Sequence, residues 1–138
     1  MKTDQSIQSI ALASVRRHSM DMETWTRTAI SQALLMPSTD TSIGELPVVQ
    51  LILDEFNWTQ VTTRRVVGAI DGEIREVEFR ELENCRWGFF KDPNSDRTRM
   101  QLKGRLGTQL EFWIETGKPS MAMIYAVMPI LKMYRGKS

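Results

Sequence analysis

Four small groups of cations are the side chains best placed to do chemistry: Arg64 and Arg65; Arg97 and Arg99; Lys103 and Arg105; and Lys132, Arg135 and Lys137. A guanidinium presents paired N–H donors that match a phosphate. Trp87, Phe89, Phe90 and Trp113 are interleaved with these groups, and aromatic rings on a sheet can stack bases. The combination suits a local nucleic-acid surface, with Arg64, Arg65, Arg97, Arg99, Lys103 and Arg105 as the candidate phosphate contacts. Two observations stand against it. Glutamates are about as numerous on the same segments, and sheet aromatics usually fill cores.

Other chemistries are poorly supplied. The chain has one histidine, His18, and one cysteine, Cys85. They are far apart in sequence, and no ligand pair has zinc spacing. Cys85 as a nucleophile would depend on His18 as its base. His18 follows two arginines and reads as an exposed polar residue, and Cys85 as a small buried one. There is no P-loop, no G-x-S-x-G and no G-x-G-x-x-G. Glu73, Glu76, Glu78, Glu81 and Glu83 alternate with Arg75, Arg80 and Arg86. That pattern describes a solvated, self-neutralising face more readily than an acid–base pair. No catalytic residue, metal or cofactor is expected.

The bulk numbers agree with a small folded protein. The chain has 138 residues, 41% hydrophobic and 25% charged, with a formal net charge of +1. This length is usual for one domain, taken here as residues 1–138, and buries enough surface to need no staple. Near-neutral charge excludes a generic basic coat, so nucleic-acid binding would come from a local patch. Asp4 stands where a signal peptide carries positive charge, and the longest apolar run, residues 121–131, is too short for a bilayer. A cytoplasmic protein without a membrane segment is expected.

The elements that would position these residues can be sketched. Residues 6–17 and 21–36 have helical spacing, the second through Trp25, Ala29, Ile30, Ala33 and Leu34. A loop is expected over 37–44 and a further helix over 45–56, with Val48, Leu51, Ile52 and Phe56 on its buried side. Residues 60–82 admit two forms. As strands, Val61, Thr62, Thr63, Val66 and Val67 suit a pleated surface, and Asp71–Gly72 suits a type I′ turn. That turn sets Val66 opposite Val77 and Arg65 opposite Glu78. As helices, 45–56 and 60–70 would form a helix-turn-helix, with Thr62 to Arg65 facing a major groove. Gly68 and Gly72 each cost a helix interior about 1 kcal/mol, so the hairpin is favoured.

Beyond this segment, 85–91, 97–103 and 108–115 read as strands, the last two by strict alternation. A final helix over 120–134 carries Met121, Ile124, Tyr125 and Met128, and Pro129 should kink or end it.

The expected fold is α+β: N-terminal helices, an antiparallel meander of about five strands, and a C-terminal helix packed on the sheet. The leading function is a small non-enzymatic nucleic-acid-binding protein, of the regulatory or accessory kind found on phages, viruses and plasmids. Two alternatives stand beside it. One is the helix-turn-helix regulator with residues 45–70 as its motif. The other is an assembly subunit that forms a homo-oligomer through Met121, Ile124, Tyr125, Met128 and Leu131, because methionine-rich faces adapt to partners.

Overall fold

In the computed structural model, which describes residues 2–30 and 44–136, the chain doubles back at Asp71–Gly72. Both residues have positive φ, 51° and 85°, as a type I′ turn requires. Strand β4 (Arg65–Ile70) pairs antiparallel with β5 (Glu73–Glu78), with Val66 opposite Val77 and Arg65 opposite Glu78. The helix-turn-helix is overturned: residues 47–54, 57–62 and 65–70 are strands. Residues 61–67 are not one strand either. Strand β3 (Asn57–Thr62) ends at Thr62, and a tight corner at Thr63 and Arg64 leads into β4.

The helix expected over 45–56 is instead β2 (Pro47–Asp54), paired with β3 on one side and with the short strand β1 (Thr28–Ile30) on the other. Its four residues Val48, Val49, Gln50 and Leu51 are all buried. A strand covered on both faces loses the alternation that marks strands, and a short apolar run then fits either period. Around 21–30 the chain makes a single 3₁₀ turn, Met22–Thr24, and then β1. Asp21 is left-handed there, with φ 55°, and Thr28 joins the sheet edge. The rest of the helix expected over 21–36 lies outside the described residues. So does most of the loop over 37–44. Among the described residues the N-terminal helix is α1 (Asp4–His18), capped by Thr3, whose hydroxyl accepts from the Ser6 amide.

Strands β1 to β5 form an antiparallel meander in sequence order. A second, three-stranded sheet follows, made by β6 (Leu82–Arg86), β7 (Arg97–Gly104) and β8 (Gln109–Glu115). Of the strand expected over 85–91 only the first two residues belong to β6; Trp87 to Asp96 form a connection. Helix α2 (Ser120–Arg135) closes the fold and packs against α1 and the larger sheet. Pro129 does not end it. Ala126 and Val127 before the proline and Ile130 and Leu131 after it are buried, so packing offsets the lost backbone bond.

One apolar core joins these layers. Ile7, Ala11 and Val15 of α1 meet Val127 and Ile130 of α2, Leu51, Val61 and Val66 of the large sheet, and Met100, Leu102, Phe112 and Ile114 of the small one. The other face of the large sheet is also buried at Trp58, Val67 and Ala69. The two sheets meet closely at Gly68. A Cβ there would stand 2.7 Å from the Trp58 carbonyl oxygen and 2.9 Å from Phe112 Cδ1. Gly68→Ala is therefore expected to destabilise the protein by about 1–3 kcal/mol through overpacking. A lower urea midpoint with an unchanged slope would show it, and an unchanged midpoint would refute the contact.

Candidate functional site

The six candidate cations fall into two groups. Arg64 and Arg65 occupy the corner between β3 and β4 and are used by the fold. Arg64 makes a bidentate pair with Asp4 at the start of α1: Nε to Oδ1 at 3.1 Å and Nη2 to Oδ2 at 2.8 Å. Arg65 Nε donates to Glu45 at 3.0 Å, and its Nη1 to Glu76 of β5. The Glu45 side chain is fully buried and also accepts from the Thr62 hydroxyl. Thr63 donates to Asp4 and accepts from the Leu46 amide. Tyr134 of α2 donates to the Thr63 carbonyl at 2.9 Å, and the Phe79 amide donates to that of Arg64. The corner thus ties together both helices, β5 and the approach to β2. The Arg64 guanidinium holds the Asp4 carboxyl below its ordinary range.

Arg97, Arg99 and Lys103 lie on the solvent face of the small sheet. Met100 and Leu102 point into the core, so alternation turns Arg97, Arg99, Gln101 and Lys103 outward. These four side chains leave the strand at intervals of about 6.6–6.8 Å, two strand rises each. Register completes the surface. Asn84 stands beside Lys103, which stands beside Gln109; Arg86 stands beside Gln101, which stands beside Glu111; Arg99 stands beside Trp113. Asn84, Arg86, Gln101, Lys103 and Gln109 surround a cleft of about 290 Å³. Arg105 is exposed in the turn after β7. Among the described residues, Arg86, Lys103 and Arg105 make no ion pair.

The upper end of this face is more committed. Arg99 pairs with Glu111 at 3.2 Å, and Arg97 with Asp96 at 3.0 Å. Both guanidinium groups also lie over the Trp113 ring, 4.8 and 5.7 Å from its centre. The indole N–H donates to Asn57 Oδ1 at 2.9 Å. Trp113 is therefore covered and is no open platform for a base. Phe89, in the connection after β6, is exposed at 65%. Its neighbour Gly88 presses on β7, where a Cβ would stand 2.5 Å from the Arg99 carbonyl oxygen. Arg86 escaped the sequence reading, because its place on this face depends on β6 pairing with β7.

The remaining candidates separate as follows. Ile124 and Leu131, named for an assembly surface, are buried in the chain's own core, whereas Met128 is 47% exposed. Met121 and Tyr125 are half buried. His18 is exposed but stacks on Tyr125, with ring centres 3.8 Å apart. Cys85 is half buried, and burial pushes its thiol up to about 11, against a smaller opposing pull from Arg135, so little of it is thiolate at neutral pH. Among the described residues, no cluster of three or more His, Cys, Asp or Glu could hold a metal ion. Nor is any described helix long and apolar enough to cross a membrane.

Comparison with protein-family models, curated proteins and solved structures finds no match.

Two predictions separate the structural cations from the available ones. Arg65→Met leaves the buried Glu45 carboxylate without this partner and should cost about 3–5 kcal/mol, whereas exposed Lys103→Met should stay within about 0.5 kcal/mol; urea unfolding reads both. The second concerns acid. Arg97 and Arg27 lower the Asp96 carboxyl from 3.8 to about 2. A folded-state pKa below the unfolded one stabilises above the unfolded value and is lost as pH falls through the folded one. Stability should therefore decline from about pH 4 towards pH 2, less steeply in Asp96→Asn, as followed by thermal melts across that range.

Proposed function

We propose that the protein binds single-stranded nucleic acid, without catalysis, on the outer face of β6, β7 and β8. The observation that carries this reading is the cleft around Arg86 and Lys103. Two cations that make no ion pair among the described residues share it with Asn84 and with Gln101 and Gln109, which hydrogen-bond each other. The cations would take phosphate oxygens, and the amides can both donate to and accept from sugar and base edges. Arg97 and Arg99 extend the same row at a spacing that an extended strand's phosphates can follow. Their guanidinium groups, beside the Trp113 ring, would offer surfaces for bases, as would the exposed ring of Phe89. Arg64 and Arg65 take no part, because their donors already serve Asp4, Glu45 and Glu76. A pleated face with no projecting helix favours a single strand over a duplex groove. A near-neutral chain would bind weakly and with strong salt dependence.

The test is fluorescence anisotropy with labelled mixed-sequence DNA and RNA oligonucleotides, single- and double-stranded, between 50 and 200 mM salt. Binding should be tightest for single strands at the low-salt end. The double variant Arg86→Gln/Lys103→Gln should keep its fold and reduce the slope of log affinity against log salt by about 1.4, at roughly 0.7 per phosphate contact. No binding at 50 mM salt, or a slope unmoved by the double variant, would end the proposal.

A further inference from the structure

We infer that the groove between β6 and the last turns of α2 is a binding site for a small amphipathic anion, an acidic head group on an apolar body. The groove encloses about 370 Å³, within the range of small-ligand sites. Its floor is apolar: Cys85 and Trp87 from the sheet side, Met128 and Leu131 from the helix. Lys132 stands on its rim with the Asn84 amide, next to Arg135, and among the described residues no carboxylate lines it. Charge complementarity therefore selects an anionic head. The helix spacing makes the arrangement: residues 128, 131, 132 and 135 recur at three and four, so the apolar pair and the cationic pair share one side of α2. Met128 is exposed over an apolar floor, where a flexible thioether can adapt to a ligand. The two cations also oppose the negative end of the helix dipole, which is why the test must separate an anion site from dipole compensation alone.

The only cysteine of the chain reports on the groove from its floor. With octanoate as the probe and iodoacetamide as a neutral alkylating agent at mildly alkaline pH, octanoate should slow Cys85 alkylation by about tenfold at saturation, equivalent to about 1.4 kcal/mol of occupancy. Octan-1-ol at equal concentration should protect less. Lys132→Glu should abolish the preference for octanoate, and Met128→Glu should abolish protection by both; circular dichroism confirms that each exposed-site variant is folded. No protection by octanoate overturns the inference. So does equal protection by octanol in the unmodified protein, a comparison that stands whether or not the variants fold. Protection that survives both substitutions would place the ligand elsewhere and overturn it as well.

Discussion

A side chain as polar as that of Glu45, buried as deeply as it is, must be met by a cation and hydrogen-bond donors, because burial strips it of water. Arg65 and Thr62 meet it, and this requirement fixes the corner between β3 and β4. The Thr62 hydroxyl also accepts from the amides of Arg64 and Arg65, so the tight turn and the ion pair are one structure. The corner then sets the two residues beside it. Thr63 and Arg64 hold the start of α1 through Asp4, and the Thr63 carbonyl holds the end of α2 through Tyr134. Burial pushes the Tyr134 phenol above its ordinary range, in keeping with a hydroxyl that serves as a donor inside the fold. Both helices, which share one core face, are thus tied to the same two corner residues, Thr63 and Arg64.

That corner also divides the arginines by role. A cation within a desolvated network cannot leave it for a phosphate without stranding its partner. Arg65, beside the fully buried Glu45, is in that position, whereas Arg64 is 38% exposed and is held by its bidentate pair with Asp4. Arg97 and Arg99 occupy an intermediate one, because their partners Asp96 and Glu111 are exposed and exposed pairs exchange cheaply. Among the described residues, Arg86, Lys103 and Arg105 have no ion-pair partner to lose. A count of basic residues along the chain weighs all of these equally; only the geometry ranks them.

How far the sequence reveals the fold depends on whether each strand has one face or two in the core. The β4–β5 hairpin was legible down to its register, because Asp71–Gly72 tolerates the turn and the pairs Val66–Val77 and Arg65–Glu78 agree with it. Strands β7 and β8 were legible by alternation, since one face is wet. Strand β2 was not, because burial on both faces erases alternation and leaves Val48, Leu51 and Ile52 equally compatible with a helix. The candidate site was half legible. Alternation placed Arg97, Arg99 and Lys103 on one face. It could not show that Arg86 joins them, which depends on β6 pairing with β7, nor that Arg64 and Arg65 are spent on Asp4 and Glu45, residues 60 and 20 positions away.

The same difference in exposure bears on where a function can reside. The large sheet is buried on one face at Leu51, Val61 and Val66 and on the other at Trp58, Val67 and Ala69. Between its buried strands Gln60 donates to Gln50 at 3.4 Å. Strands β2 to β4, enclosed in this way, have few side chains to offer a ligand. The small sheet is enclosed on one face only, and its strand β6 lies at an edge, paired with β7 alone. That edge strand turns Arg86 towards the wet face and Cys85 towards the groove beside α2, with Asn84 bordering both. A substitution at Asn84 would therefore reach two surfaces at once, whereas Arg86 and Met128 each belong to one, and it is through these two that the surfaces can be told apart.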